Sequence, residues 1–274
     1  MPNPVLNDKV FQQAAADAAP DAAGWAAPTG TVYHPPISDG PVTPYRSVRT
    51  GLMTVSGAAW ATAVLLVLLV AGGVVGWANV HTDTAGNVNF PGWLLLPLFG
   101  ALGVAFLTAF KPHLARFTAP IYAIVEGLVV GAISRMYDIA YSGIVIQAVG
   151  ATIGVFAVML ALYGLRIIRV TDRFRRIVIG ATFGILLLYG VSLLFSLFGH
   201  TPSFIYDASA FGILLSVLIA GVAAFNLALD FDMIERAVAA GAPKQMEWYA
   251  GFGLLVTLVW LYLELLRLLG RLRR

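Results

Sequence analysis

Residues 224–235, AFNLALDFDMIE, and residues 258–269, LVWLYLELLRLL, decide how this chain is read. Each sets acids into or at the edge of a long apolar run: Asp230, Asp232 and Glu235 in the first, Glu264 in the second. A carboxylate at the centre of a membrane helix costs on the order of 2.5 to 3.5 kcal/mol on insertion scales, so an acid kept there is a candidate for function. Asn226 and Asp230, four apart, share a helix face, whereas Asp232 points nearly the opposite way.

Working outward, composition gives the class. Of 274 residues, 59% are hydrophobic and 11% charged, against roughly 25% charged in an ordinary soluble domain. Apolar segments stand at 52–78, 92–110, 117–136, 141–165, 177–198, 208–230 and 247–269. Each is near the roughly 20 residues needed to cross about 30 Å of hydrocarbon. The expectation is an all-α, polytopic membrane protein, a seven-transmembrane-helix bundle over residues 45–274 that contacts lipid on its outer surface. Residues 1–44, rich in Ala and Pro with scattered Asp, Asn and Gly, read as a disordered amino-terminal tail. They lack the basic start and apolar stretch of a secretory signal.

Cations set the expected orientation. The connection RIIRVTDRFRR, residues 166–176, carries five arginines and should be cytoplasmic. Arg46 and Arg49 before the first span, Lys111 and Arg116 in the second connection, and Arg236 and Lys244 in the sixth agree with it. The segments 79–89 and 199–209 hold no lysine or arginine. The amino terminus is therefore expected in the cytoplasm. Arg267, Arg271, Arg273 and Arg274 then fall outside, against the rule, unless the seventh segment is re-entrant.

Several chemistries are excluded cheaply. With no cysteine there is no disulfide, thiolate metal site or cysteine nucleophile. There is no H-E-x-x-H, G-x-S-x-G or Walker-type loop, and His34, His81, His113 and His200 lie in the tail or connections. Lys9, Lys111 and Lys244 all lie outside the spans, so no retinal-type Schiff base is available. No basic stripe interleaved with aromatics points to nucleic acid. Neither an enzyme nor a bound organic cofactor is expected.

The remaining chemistry lies in polar groups of the spans. Glu126 sits about ten residues into the third span, and Glu264 precedes Arg267 by one turn, an i, i+3 ion pair being its structural alternative. Glu126 could instead simply hydrogen-bond to a neighbouring helix. Asp232 and Glu235 read as a solvated helix end, and Asp230 itself could be a helix terminus. Glu247, near the start of the last span, suits the positive end of a helix. Gly127 with Gly131, Gly150 with Gly154, and Gly180 with Gly184 are G-x-x-x-G steps. They predict close helix packing within the chain, a dimer contact being the alternative, so monomer and homo-oligomer both stand.

Seven spans, EGLVVGAIS in the third, NLALDFDMIE ending the sixth and LYLELLRLL in the seventh resemble the transmembrane Bax inhibitor motif family, and within it the bacterial YccA-like branch. The resemblance covers about residues 45–270, and NPVLNDKVF near the amino terminus also looks like the start of actinobacterial members. It implies a bundle with the last helix near its centre, and a pH-sensitive calcium leak gated by a proton-sharing carboxylate pair. By motif, that pair is Asp230, in Leu229-Asp230-Phe231-Asp232-Met233-Ile234, and Glu264, in Leu261-Tyr262-Leu263-Glu264. The same two are the candidate calcium ligands, with Glu247, Asp232, Glu126 and Asn226 as further candidates along an ion path. The family has Asp at the second position and separates its acids by roughly two dozen residues. Here they are 34 apart. If the extra residues lengthen the loop, Glu264 faces Asp230; if they lengthen the seventh helix, Glu247 does. A non-conducting modulator of a membrane protease or stress-response complex is the alternative function.

Overall fold

A computed structural model describes residues 51–81, 92–198 and 209–273. The predicted tail, residues 1–44, lies outside them, as do most of the two cation-poor connections. The fold is a seven-helix bundle: α1 Val55–Ala78, α2 Leu95–Phe110, α3 Ala115–Ala140, α4 Ile144–Gly164, α5 Asp172–Leu197, α6 Ala210–Ala239 and α7 Met246–Leu272. Short 3-10 turns, Gly92–Leu94 and Pro112–Leu114, lead into α2 and α3. All seven are long and apolar enough to cross a membrane, and the chain is a multi-pass membrane protein.

Hydroxyl caps begin three of the helices. Thr54, Thr171 and Ser209 each accept from a backbone N–H one turn on, at the starts of α1, α5 and α6. α7 takes the centre, packed by α1, α3, α4 and α6, with Tyr249, Phe252, Leu255, Leu261 and Leu266 fully enclosed. The Tyr122 ring of α3 meets Phe252 edge-on at 4.9 Å. The central last helix implied by the resemblance is what the structure has.

Two faces of the bundle can be told apart by their contacts. On one, the start of α1 pairs with the α6–α7 turn, Met53 N–H donating to Ala242 O at 2.7 Å and Lys244 N–H to Gly51 O at 2.8 Å. The arginine-rich α4–α5 connection lies on this face, since Arg175 reaches Asp232 of α6. On the other, Arg273 donates to Ser142 O and to the Gln147 side chain, both at 2.9 Å. α7 therefore runs from one face to the other, about 40 Å at 1.5 Å per residue, and is not re-entrant. Arg267, Arg271 and Arg273 are not free tail charges. Arg271, 7% exposed, donates to Gly212 O and, at 2.7 Å, to Ser216 Oγ of α6.

The small-residue steps divide. Gly127 and Gly131 of α3 lie against Gly72, Gly73 and Gly76 of α1, where an added Cβ at Gly131 would overlap the Gly73 carbonyl. Around Gly150, Gly154, Gly180 and Gly184 an added Cβ would meet nothing within 4 Å. Packing within the chain thus accounts for the first step and not for the other two. Gly131→Ala is expected to force α1 from α3 and to cost about 1–3 kcal/mol, as overpacking does. Gly150→Ala should stay within about 0.5 kcal/mol, as surface changes do. Thermal unfolding in detergent compares the two, and equal losses would contradict the packing.

Candidate functional site at the α6–α7 interface

α6 does not stop at Asp230. It continues nine residues to Ala239, because the charged segment that reads as a solvated end is internally paired: Arg236 bonds Asp232 one turn back, and Arg175 of α5 holds the same carboxylate at 3.1 Å. Asp232 is 18% exposed and is a paired charge rather than a solvated one. Glu235 is exposed and accepts from the Tyr163 hydroxyl at 2.5 Å. Asp230, which could have been a helix terminus, is instead inside the span and 0% exposed.

The Asp230 carboxylate faces α7 and meets a hydroxyl there. Thr257 Oγ1 donates to Asp230 Oδ2 at 2.6 Å, and has the Gly253 carbonyl of its own helix at 3.2 Å as a second acceptor. One turn earlier on α6, Asn226 turns to α5, donating to Thr182 Oγ1 at 2.8 Å and to Val222 O at 2.9 Å. The shared face of Asn226 and Asp230 therefore ties α6 to two helices at once.

Glu264 has partners of its own. Its Oε2 accepts from the Tyr189 hydroxyl of α5 at 2.8 Å and from Arg267 at 2.9 Å, and the guanidinium lies 5.1 Å from the Tyr189 ring centre. The i, i+3 pair with Arg267 is thus present, 2% exposed at the acid and 35% at the arginine. The other oxygen, Oε1, is buried without a hydrogen bond among the described residues. Glu264 lies seven residues beyond Thr257 on α7, about 10 Å along the axis.

Glu247 lies ten residues before Thr257, about 15 Å the other way. Its Oε1 accepts from both the backbone N–H and the hydroxyl of Thr54 at 3.0 Å, at the positive end of α1, and Gly57 leaves room for it. The role at a helix start is therefore played toward α1 as well as its own helix.

Neither expected partner stands opposite Asp230. The extra residues of this chain lengthen α6 to Ala239 and start α7 at Met246, leaving only residues 240–245 as the turn. Ser216 meets Arg271 fourteen residues along each helix from the Asp230–Thr257 contact, so one antiparallel register holds throughout. That register sets Thr257 at the level of Asp230, and the shared-proton geometry expected for Asp230 and Glu264 is replaced by two separate sites. Thr257, Tyr189 and Arg271 were not singled out by sequence. Thr257 and Tyr189 are isolated polar groups on apolar helices, and Arg271 reads as tail charge.

Glu126, on α3, is half-buried and forms no hydrogen bond or ion pair among the described residues. Among those residues no group of three or more His, Cys, Asp or Glu is placed to hold a metal ion. Against known families, the chain matches the model described as Bax inhibitor 1 like over residues 3–274.

The chain belongs to the Bax inhibitor 1 like family. The match takes in almost the whole sequence of this Bax inhibitor-like protein, including the amino-terminal segment that the motif resemblance left out. None of the curated proteins matches it.

Proposed function

We propose that this Bax inhibitor-like protein is a pH-sensitive calcium leak channel of the bacterial inner membrane, with Asp230 as its sensor. The observation that supports the reading is a carboxylate 0% exposed at the contact of α6 with the central helix α7. A hydroxyl both donates and accepts, so the Asp230–Thr257 contact survives a change of protonation state. With Asp230 protonated, its O–H donates to Thr257 Oγ1, and Thr257 donates to Gly253 O. The neutral pair suits the apolar interface, and α6 and α7 stay closed. With Asp230 ionised, Thr257 donates to the carboxylate, and the buried negative charge adds a desolvation penalty to the interface. Parting the helices admits water and a divalent cation, for which a carboxylate is a hard oxygen ligand.

A cavity of about 980 Å³ between α1, α4 and α6 includes Phe231, Asp232 and Glu235 in its wall, directly beyond Asp230 along α6. Calcium entry into dye-loaded liposomes containing the purified protein tests the reading. Leak that rises from acid to alkaline pH is expected, and liposomes tight at every pH would favour the non-conducting modulator of a membrane protease or stress complex.

Orientation is testable on the same cysteine-free chain. With the amino terminus in the cytoplasm, Ser142→Cys at the α3–α4 turn should react with an impermeant thiol reagent added to intact cells, and Thr171→Cys should not. The reverse pattern would move the mouth of the pathway to the other side of the membrane.

A further inference from the structure

A groove runs up the side of the bundle between α1 and α4. Its outer part, about 680 Å³, is walled by the Leu66 to Trp77 side of α1 and the Val145 to Phe156 side of α4, with Val130 of α3 and Tyr262 of α7 as its floor. The hydroxyls on these walls are already engaged: Ser134 pairs with Tyr262 at 2.6 Å, and Thr152 donates to Ala148 O at 2.7 Å. Nothing there calls for water. The inner part is the cavity of about 980 Å³ described above, and Leu66 and Phe156 line both, so the two adjoin.

The inner part ends at two arginines. Arg166 and Arg169 line it, beside Asp232 and Glu235. Asp232 is paired with Arg175 and Arg236, and Glu235, which keeps its charge, accepts from the Tyr163 hydroxyl. Arg166 and Arg169 form no ion pair among the described residues, and both are exposed at the mouth. The slot thus opens onto a mouth where four arginines, Arg166, Arg169, Arg175 and Arg236, stand against two acids, a net positive charge at the level of the membrane surface. From Val55 to Leu66 on α1, the inner part spans about 16 Å at 1.5 Å per residue, close to half of the roughly 30 Å hydrocarbon core, and the outer part continues from it toward the other face.

We infer that this groove is a binding site for one anionic glycerophospholipid of the leaflet on the arginine-rich face. An acyl chain lies between α1 and α4, and the phosphate is held by Arg166 and Arg169. Guanidinium groups suit phosphate because their planar donors match its oxygens in pairs, and basic groups at the surface attract anionic headgroups. The inference is independent of the calcium reading, since it uses neither Asp230 nor Thr257.

Native mass spectrometry of the detergent-purified protein, with phosphatidylglycerol and phosphatidylcholine added in equal amounts, tests it. One phosphatidylglycerol should be retained in preference to phosphatidylcholine. Arg166→Gln with Arg169→Gln should reduce that preference by about tenfold, while Arg173→Gln with Arg176→Gln, on the same connection but off the groove wall, should change it less than about twofold. Leu160→Trp fills the inner cavity from a lipid-exposed position and should abolish retention of both lipids, with Ala63→Trp as a second blocking variant. Equal losses in the two arginine doubles, or full retention in both tryptophan variants, would overturn the site. So would retention of free fatty acid with no phospholipid bound.

Discussion

Asp230→Asn should remove the rise of calcium leak with pH, leaving the same low flux at acid and alkaline pH. The amide keeps the size of the protonated acid and carries no charge at any pH, so the penalty that parts α6 from α7 never arises. The acids along α7 then separate the possible partners. Glu264→Gln and Glu247→Gln should leave the onset of leak where it is, because their carboxylates bond Tyr189 with Arg267 and Thr54. Thr257→Val removes the donor that steadies the ionised carboxylate and should move the onset to more alkaline pH. A flat response in Glu264→Gln together with an unchanged one in Thr257→Val would restore the carboxylate pair.

Arg267→Met should be among the most destabilising single changes in the bundle. It leaves Glu264, 2% exposed, as a buried carboxylate with only the Tyr189 hydroxyl to bond. Breaking a buried ion pair from one side costs about 3–5 kcal/mol, and the 35% exposure of Arg267 puts this case toward the lower end. Replacing both partners, Glu264→Leu with Arg267→Met, removes the stranded charge and should recover most of the loss. Thermal unfolding in detergent reads all three proteins. A double variant as unstable as the single would show that the ion pair is not the source of the effect.

The seven spans were legible because apolar runs of membrane length admit few other readings, and their ends fall within a few residues of the helices except at the start of α5, five residues early at Asp172, and at the end of α6. There the string Asp232, Glu235, Arg236 reads as a helix leaving the membrane. Its charges instead cancel one another within the helix and across to Arg175, so the helix continues. The register of α6 against α7 was not legible, since it depends on how residues 234–247 divide between two helix ends and a turn. A shift of a few residues there decides which group meets Asp230. Glu264 with Arg267 could be read from i, i+3 spacing alone, whereas Tyr189, 75 residues away in sequence, enters only through the packing of α5. The buried setting of Asp230 was legible as an acid in an apolar run, and its hydroxyl partner was not.

The central claim is that protonation of Asp230 closes the channel. Difference infrared spectroscopy on the reconstituted protein follows the C=O stretch of a protonated carboxyl directly. The account predicts a band that disappears over the same pH interval in which calcium leak appears, and that is absent from Asp230→Asn. Leak that opens while this band stays constant, or a band that titrates unchanged in Asp230→Asn, would contradict it.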